Sequence, residues 1–341
     1  MWYNTSRQEA DSGKPWIAGE GLDQLVDTHE PIEKTNPGDY VTLATAANGQ
    51  VRALAVVNTS IVEEVRSRHQ MSPVATAALG RTMAAGAMLG AMQKEKEKVT
   101  IQVIGDGPLE QVIVDADAKG NLRGYVQNPH VDVPLAEKGK MNVKAAVGQG
   151  HLWVIRDLGL GEPYRGGVPL VTGEIAEDFA SYFAHSEQTP SAVALGVLVD
   201  IDYRVRASGG LILQLLPGAS EGMAIMLEHM IKDLPPVSSI IDAGGAPEDI
   251  IDKAIGELQP KYLHHLPLRF RCSCSRKRCE SALIALGIEE LDDLIREQEE
   301  AELTCRFCQE RYVFSKQELE ALQRQIRLTR SHDQTEGETG I

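Results

Sequence analysis

The sequence lacks cysteine over its first 271 residues, because all five cysteines of the 341-residue chain lie between Cys272 and Cys308. A disulfide framework that staples the whole chain is therefore excluded. The sequence also lacks an apolar run near the ~18 residues of a bilayer span, and its first 30 residues lack the basic-then-apolar pattern of a secretory signal. We expect a soluble, cytoplasmic protein with no membrane partner.

An excess of positive charge is missing as well. Lysine and arginine together number 34, aspartate and glutamate number 49, and the formal net charge is −15 at pH 7. A chain with this charge does not attract a polyanion by bulk electrostatics. Nucleic acid is therefore not an expected partner.

The sequence shows no signature of nucleotide binding or catalysis. Gly105-Asp106-Gly107-Pro108 leads into a predicted strand and not into a helix, so we interpret it as a turn and not as a phosphate loop. His151, Asp157 and His185 are candidates for acid-base chemistry, but their spacing is not typical of a catalytic triad or a metal set. We predict that the protein is not an enzyme.

Residues 39–218 are predicted to form an α+β domain of antiparallel sheet packed with helices. Asn48-Gly49 between apolar runs indicates a hairpin turn, and Ser72 followed by Pro73 indicates the N-cap and first residue of a helix rich in Ala, Gly, Met and Leu. Residues 1–38, which are mostly polar, are predicted to be a disordered extension. The further predicted strands are 99–105, 109–118, 121–127, 151–159 and 191–205, with a helix over 174–187.

Residues 219–271 are predicted to be a helical linker that is only conditionally stable. Its helices are short and interrupted by glycine, and isolated short helices are marginal in water. Met223, Met226 and Met230 lie on one helical face. This face is either ordinary core on a docked helix or a surface that binds client proteins, and the sequence leaves both interpretations open.

The C-terminal part contains two close cysteine pairs. Cys272 and Cys274 are followed, after 30 intervening residues, by Cys305 and Cys308. Two pairs of thiolates from separate segments are what tetrahedral Zn²⁺ requires, so we predict a four-cysteine zinc site with one ion per chain. We predict helices over 280–287 and 288–301, a strand over 311–314 and a helix from 316, within a zinc module over 272–325. A disordered tail is predicted over 326–341.

The fifth cysteine and the nearby basic residues allow two interpretations each. Cys279 lies one turn before Leu283 on an apolar helix face, which favours a buried small hydrophobic residue over a fifth ligand. The basic residues are either a solvated patch balanced by acidic neighbours or a source of positive charge that favours thiolates and hence oxidation. These basic residues are Arg269, Arg271, Arg276, Lys277 and Arg278.

These motifs together resemble those of the thirty-three-kilodalton heat-shock chaperones. The similarity extends from about Asp39 to about Leu322, and leaves out the first 38 residues. Cys279 is additional to the four matching cysteines. The segments that carry the resemblance are RCSCSRKR, LTCRFCQERYVFS, TAANGQVRA, GDGPLEQVIVDADAKGNLRGYV and SEQTPSAVALGVLVD.

The resemblance implies a redox-regulated, ATP-independent holdase of the stress response that binds unfolded or misfolded client proteins. It implies that the reduced, zinc-bound form is inactive, and that oxidation joins Cys272 with Cys274 and Cys305 with Cys308. Zinc then leaves, and the module and the linker unfold to expose apolar surface. The family also implies a homodimer in the active state. The alternative that the sequence leaves open is a zinc-ribbon adaptor that binds RNA or a protein partner.

Overall fold

The computed structural model describes residues 38–94, 96–136, 140–159, 161–297 and 300–337. Except for Gly38, the predicted N-terminal extension lies outside these residues. The strands are β1 (Tyr40–Ala46), β2 (Val51–Val57), β3 (Lys98–Gly105), β4 (Gln111–Asp117), β5 (Asn121–Val126), β6 (Gly150–Asp157), β7 (Tyr164–Pro169), β8 (Ser191–Val199), β9 (Val205–Leu215), β10 (Lys261–Pro267), β11 (Arg269–Phe270), β12 (Glu300–Thr304) and β13 (Arg311–Ser315).

Helices lie between and after these strands. They are α1 (Thr59–His69), α2 (Pro73–Ala91), α3 (Val143–Val147), α4 (Ala176–His185), α5 (Glu221–Asp233), α6 (Val237–Asp242), α7 (Pro247–Ile255), α8 (Arg276–Leu286), α9 (Ile288–Glu297) and α10 (Lys316–Gly337). None of those within the described ranges combines the length and the apolar character that a bilayer crossing needs. The predicted α+β class is confirmed.

Two sheets form the core domain, with α2 between them. The first is antiparallel throughout, in the order β10-β1-β2-β9-β8. The second has the order β11-β5-β4-β3-β6-β7 and is antiparallel except for the β11-β5 pair. Helix α2 packs against β4 and β5 of one sheet and β8 and β9 of the other. A single apolar cluster fills this layer.

The local signals for the hairpin and for α2 are confirmed. Strands β1 and β2 pair around a turn in which Asn48 has a left-handed backbone (φ 53°). Ser72 caps α2 by accepting a hydrogen bond from the Ala75 backbone N–H at 3.4 Å. A Cβ atom at Gly86 would lie 2.8 Å from Val114 Cγ1, so the small residues of α2 permit the close approach of the second sheet.

The segment predicted as one strand over 191–205 is instead a hairpin of β8 and β9. The chain reverses within residues 200–204, where the Tyr203 N–H donates to the Asp200 carbonyl at 2.9 Å and Tyr203 has φ 70°. Polar residues interrupt the apolar pattern there, but no Gly or Pro marks the reversal. Strand β7 and helix α3 were also not predicted, because both are short and take their stability from β6 and α2.

The predicted linker covers the outer face of the first sheet. Helices α5, α6 and α7 pack there around buried Ile240, Ile250, Ile251 and Ile255, against alanine and leucine side chains of β1, β2 and β9. The prediction of an entirely helical linker is wrong for its last part. Residues 261–270 form β10 and β11, which add one strand to each core sheet.

The C-terminal module packs α8, α9 and α10 on the β12-β13 hairpin. The predicted helix over 288–301 ends at Glu297, because Ala301 is buried in β12 and pairs with Phe314 of β13. The tail predicted from residue 326 overlaps α10, which extends to Gly337. Ile326 is buried in this module. Residues 338–341 lie outside the described part.

Candidate metal centre

Four cysteine sulfurs meet where the C-terminal module contacts the second sheet. Cys272 and Cys274 follow β11, Cys305 follows β12, and Cys308 precedes β13. The Sγ atoms of Cys272 and Cys305 are 3.6 Å apart and those of Cys274 and Cys308 are 3.3 Å apart, and all four lie within 4.8 Å of one another. A tetrahedral ion with sulfur ligands at about 2.3 Å separates its ligands by about 3.8 Å. The group therefore has the size of a metal site.

The second cysteine pair lies in a tight turn between β12 and β13. The Cys305 N–H donates to the Glu310 carbonyl at 2.9 Å, and the Gln309 N–H donates to the Cys305 carbonyl at 2.9 Å. Gln309 takes a left-handed backbone with φ 60° to close this turn. These bonds direct the Cys305 and Cys308 side chains to the same side of the hairpin end, where two ligands can share one ion.

Two side chains that the sequence did not indicate contact the sulfurs. The Arg123 guanidinium on β5 donates to Cys272 Sγ at 3.6 Å and to Ser273 Oγ at 3.1 Å. The Tyr312 hydroxyl on β13 donates to Cys274 Sγ at 3.3 Å. Tyr312 follows Cys308 by four residues in a predicted strand and could have been suspected. Arg123 has no local signal, because only the fold brings β5 to the C-x-C segment.

Three of the five basic residues predicted near the C-x-C segment form hydrogen bonds or ion pairs that fix their positions. Arg278 donates to Ser273 Oγ at 2.6 Å. Arg276 pairs with Glu318 at 2.6 Å and lies over the Phe314 ring, and Arg269 donates to Asn121 at 2.7 Å. The interpretation as a patch balanced by acidic neighbours therefore describes Arg276, whereas Arg123 is the arginine that donates a hydrogen bond to a cysteine sulfur.

The thiols differ in acidity. Burial raises the pKa of Cys272, but hydrogen bonds to its thiolate from the Cys274 backbone N–H and from neighbouring thiols lower it to about 7. Burial raises the pKa of Cys308, and hydrogen bonds with neighbouring thiols raise it further. These hydrogen bonds therefore favour the thiolate of Cys272 over that of Cys308.

A family model described as Hsp33 protein matches residues 39–315. The chain belongs to the Hsp33 family. The resemblance seen in the motifs is thereby confirmed.

Relatives of this Hsp33 family member are matched over nearly their whole length. A 33 kDa chaperonin of Desulforamulus reducens is 50% identical over 288 residues, which cover 84% of this chain and 98% of that protein. A 33 kDa chaperonin of Geobacillus kaustophilus is 48% identical over 286 residues, with 84% and 97% coverage. The crystal structure of a 33 kDa chaperonin from Thermotoga maritima has a TM-score of 0.79 at 40% identity and covers 84% of this chain and 98% of its own. These relatives support a chaperone function.

The cysteine turn of this Hsp33 family member is docked on α1 and β5. His69 Nε2 lies 3.0 Å from the Phe307 carbonyl, and Arg68 donates to the Cys308 carbonyl at 3.2 Å. The Phe307 ring is held edge-on by Tyr125 and lies 4.0 Å below the Arg123 guanidinium. Burial lowers the pKa of His69. Its hydrogen bond with the Phe307 carbonyl partly opposes this effect, and the positive charge of Arg68 reinforces it. The neutral imidazole is therefore the docked form.

Cys279 lies outside the four-sulfur group. It is half-buried on α8 and packs with Leu283 and the other apolar residues of the module. Burial raises the pKa of its thiol, and the negative charge of Cys305 raises it further. This placement matches the small-hydrophobe interpretation.

The three methionines of α5 differ in whether they pack on the first sheet. Leu227, which is 4% exposed, is the buried residue of the helix, and Met223 and Met230 pack beside it against the first sheet. Met226 is half-buried but is not one of the described residues that pack on this cluster. The docked face is therefore centred on Leu227, a residue that the sequence reasoning did not single out.

The three candidates for acid-base chemistry are not brought together. His151 and Asp157 lie at opposite ends of β6, about 20 Å apart for an extended strand. His151 stacks on Trp153, and His185 Nδ1 donates to the Ser181 carbonyl within α4 at 2.9 Å. The names of the relatives, which are chaperonins, agree with a protein that is not an enzyme.

Proposed function

We propose that this protein is a redox-regulated, ATP-independent holdase that binds unfolding proteins under oxidative stress and prevents their aggregation. The reduced, zinc-bound form is inactive, and the disulfide-bonded, zinc-free form is active. One observation carries the proposal. The four-sulfur group begins directly after the segment that covers the apolar outer face of the first sheet.

The chemistry of the donors supports Zn²⁺ as the bound ion. Four thiolates suit a borderline-soft cation, whereas Ca²⁺ and Mg²⁺ take oxygen ligands. Cys272, Cys274, Cys305 and Cys308 would hold one ion per chain. When bound, the ion would cross-link the start of the module to its hairpin, and such sites contribute on the order of 10 kcal/mol or more of folding free energy.

Oxidation would join Cys272 with Cys274 and Cys305 with Cys308. Each disulfide forms when two thiols give two electrons and two protons to the oxidant, and neither sulfur is then available as a thiolate ligand. A module whose fold depends on four ligands loses that support when the ligands are consumed. The module over 272–325 is therefore the proposed redox switch.

Unfolding of the module would reach the linker over 219–271 through the chain itself. Arg271 N–H donates to the Leu122 carbonyl on β5, and Cys272 is the next residue. Helices α5 to α7 are short and depend on docking. Their release would uncover the apolar outer face of the first sheet, and would expose Met223 and Met230, whose flexible side chains suit irregular apolar clients.

The proposed partners follow from family membership. Clients are unfolded or misfolded proteins, the active form is a homodimer, and the protein works in the cytoplasm. Met223, Met226 and Met230 remain a proposed client-binding set. Of these three, Met223 and Met230 are the ones that linker release would uncover most directly.

A light-scattering assay with a thermally unfolding client tests the function. We expect the oxidised protein to suppress the scattering without ATP, and we expect added reductant and Zn²⁺ to abolish the effect. A Cys279→Ser variant is the matched control, because it removes a thiol outside the group and should switch like the parent. Equal suppression by the reduced, zinc-loaded protein would show that the site is structural only.

Metal analysis tests the ligand set separately. Replacement of any one of the four grouped cysteines by serine should lower zinc below one ion per chain, since one of four thiolate ligands is lost. Cys279→Ser should leave zinc unchanged. Undiminished zinc in one of the four variants would remove that residue from the site.

A further inference from the structure

We infer that the edge of β1 now covered by β10 binds an extended segment of an unfolded client by strand addition. The inference rests on the proposed function and specifies how clients are held. It assigns a binding role to main-chain groups of the first sheet, in addition to its apolar face.

Strand β10 is a removable cover on this edge. It pairs antiparallel with β1 from Tyr40↔Pro267 to Thr45↔Lys261, with an irregularity between Leu43 and Ala44. It is the last strand on that side of the sheet, and it belongs to the proposed linker. If β10 leaves with the linker, β1 becomes the edge strand, and its outward N–H and C=O groups lose their partners.

The direction of these groups can be assigned. The Leu268 N–H donates to the Asp39 carbonyl at 2.9 Å, so residue 39 directs its main-chain groups toward β10. These groups alternate along an antiparallel strand. Val41 and Leu43 therefore direct their N–H and C=O groups toward β10, and Thr42 and Ala44 direct theirs toward β2.

The two strands differ in the features that protect a sheet edge. Strand β1 (YVTLATA) has no charged residue and no proline, and it is rich in β-branched and apolar side chains. Strand β10 (KYLHHLP) carries Lys261, two exposed or half-exposed histidines and a terminal proline. Charge and proline are the usual protection of an edge strand, and an uncharged edge without them is a template for another chain.

The chemistry of the edge indicates the kind of partner. Strand addition binds through main-chain hydrogen bonds, which every extended polypeptide can supply. The partner is therefore an extended, uncharged segment of an unfolded protein, with little requirement for sequence. A folded protein pairs such segments within its own sheets, so the edge of β1 would bind unfolded proteins in preference to folded ones.

Backbone-modified peptides test the inference. The probe is oxidised full-length protein with fluorescent, reduced and carboxymethylated lactalbumin as the client, and the competitor is a peptide of residues 260–268. N-methylation at the position of Leu266 blocks the face that meets β1, and N-methylation at the position of His265 modifies the opposite face of the same strand. We expect the first modification to weaken competition about tenfold and the second to change it less than threefold.

Amide exchange of the oxidised protein gives a second readout. The Val41 and Leu43 amides should lose protection without client and regain it with lactalbumin, whereas the Thr42 and Ala44 amides should stay protected in both states. Equal competition by both modified peptides, or no competition, would overturn the inference. So would protection of Val41 and Leu43 in the client-free protein, which would mean that β10 or a second copy occupies the edge. If the oxidised protein does not bind lactalbumin at all, the proposed function itself fails, and this is seen before any competitor is added.

Discussion

Removal of buried side-chain atoms from α7 should give the reduced protein the ability to suppress client aggregation. Ile250 and Ile251 are both fully buried between this helix and the first sheet. Replacement of a buried Ile by Ala costs about 2–5 kcal/mol. A nine-residue helix has little stability of its own, so the loss falls on its docking to the sheet. Even about 2 kcal/mol corresponds to a roughly thirty-fold shift toward the undocked linker.

The assay is amide exchange of reduced, zinc-loaded Ile250→Ala, combined with client light scattering. We expect faster exchange in α5 to α7 and β10, unchanged exchange in α2, and partial suppression of aggregation without oxidant. Ile250→Val should give a smaller effect in the same direction, since this change costs about 0.5–1.5 kcal/mol.

Ile101→Ala is the matched control, because it makes the same deletion at an equally buried position between the two sheets. It should lower the melting temperature without activating the reduced protein. The reasoning is refuted if linker exchange in Ile250→Ala equals that of the parent, or if Ile101→Ala activates the reduced protein to the same degree.

Three further predictions concern contacts of the linker and of the site. Met230→Asp should shift the docking equilibrium of α5 in the reduced protein more than tenfold toward the undocked state. Met226→Asp, which lies off the docked cluster, should leave this equilibrium unchanged, and amide exchange measures both variants. Arg123→Met should accelerate metal loss to a chelator about two- to five-fold, because a cation-π contact of about 0.5–1 kcal/mol is lost; Arg165→Met, which removes an equivalent contact with Trp153, should not. The pKa of His69 is lowered by burial and by Arg68, so its contribution to docking is complete above the ordinary value of about 6.5 and is lost as the pH falls below it. The rate of tryptic cleavage at Arg306, relative to a His69→Gln variant at the same pH, should therefore rise from pH 7.5 to pH 6, and a constant ratio would contradict this assignment.

Features with a local physical cause could be predicted from the sequence. The Asn48-Gly49 turn, the Ser72 cap and the spacing of the four grouped cysteines each depend on residues a few positions apart, and the structure contains all three. The α+β class followed from the succession of such elements. The Ser315 N–H donates to the Glu318 carboxylate at 2.9 Å, as expected for the start of α10.

Features that depend on distant partners could not be predicted. The KYLHHLP segment has no clear alternation, and it is a strand because the edge of β1 is available to it. Arg123 looks like an ordinary surface residue of β5 until the fold brings Cys272 beside it. The helical period of the methionines does not show which side of α5 contacts another element. In the structure, the side that packs on the first sheet is centred on Leu227.

The two cysteine pairs are attached to the core by different elements, and this separation bears on how the proposed redox switch would work. The C-x-C pair follows β11, which is hydrogen-bonded to β5, whereas the C-x-x-C turn is held by α1 through the carbonyls of Phe307 and Cys308. In the proposed switch, a disulfide within either pair would act first on the backbone next to its own attachment. Under the proposed redox switch, we therefore expect full release of the module only after both cysteine pairs are oxidised, because either remaining attachment still ties the module to the core.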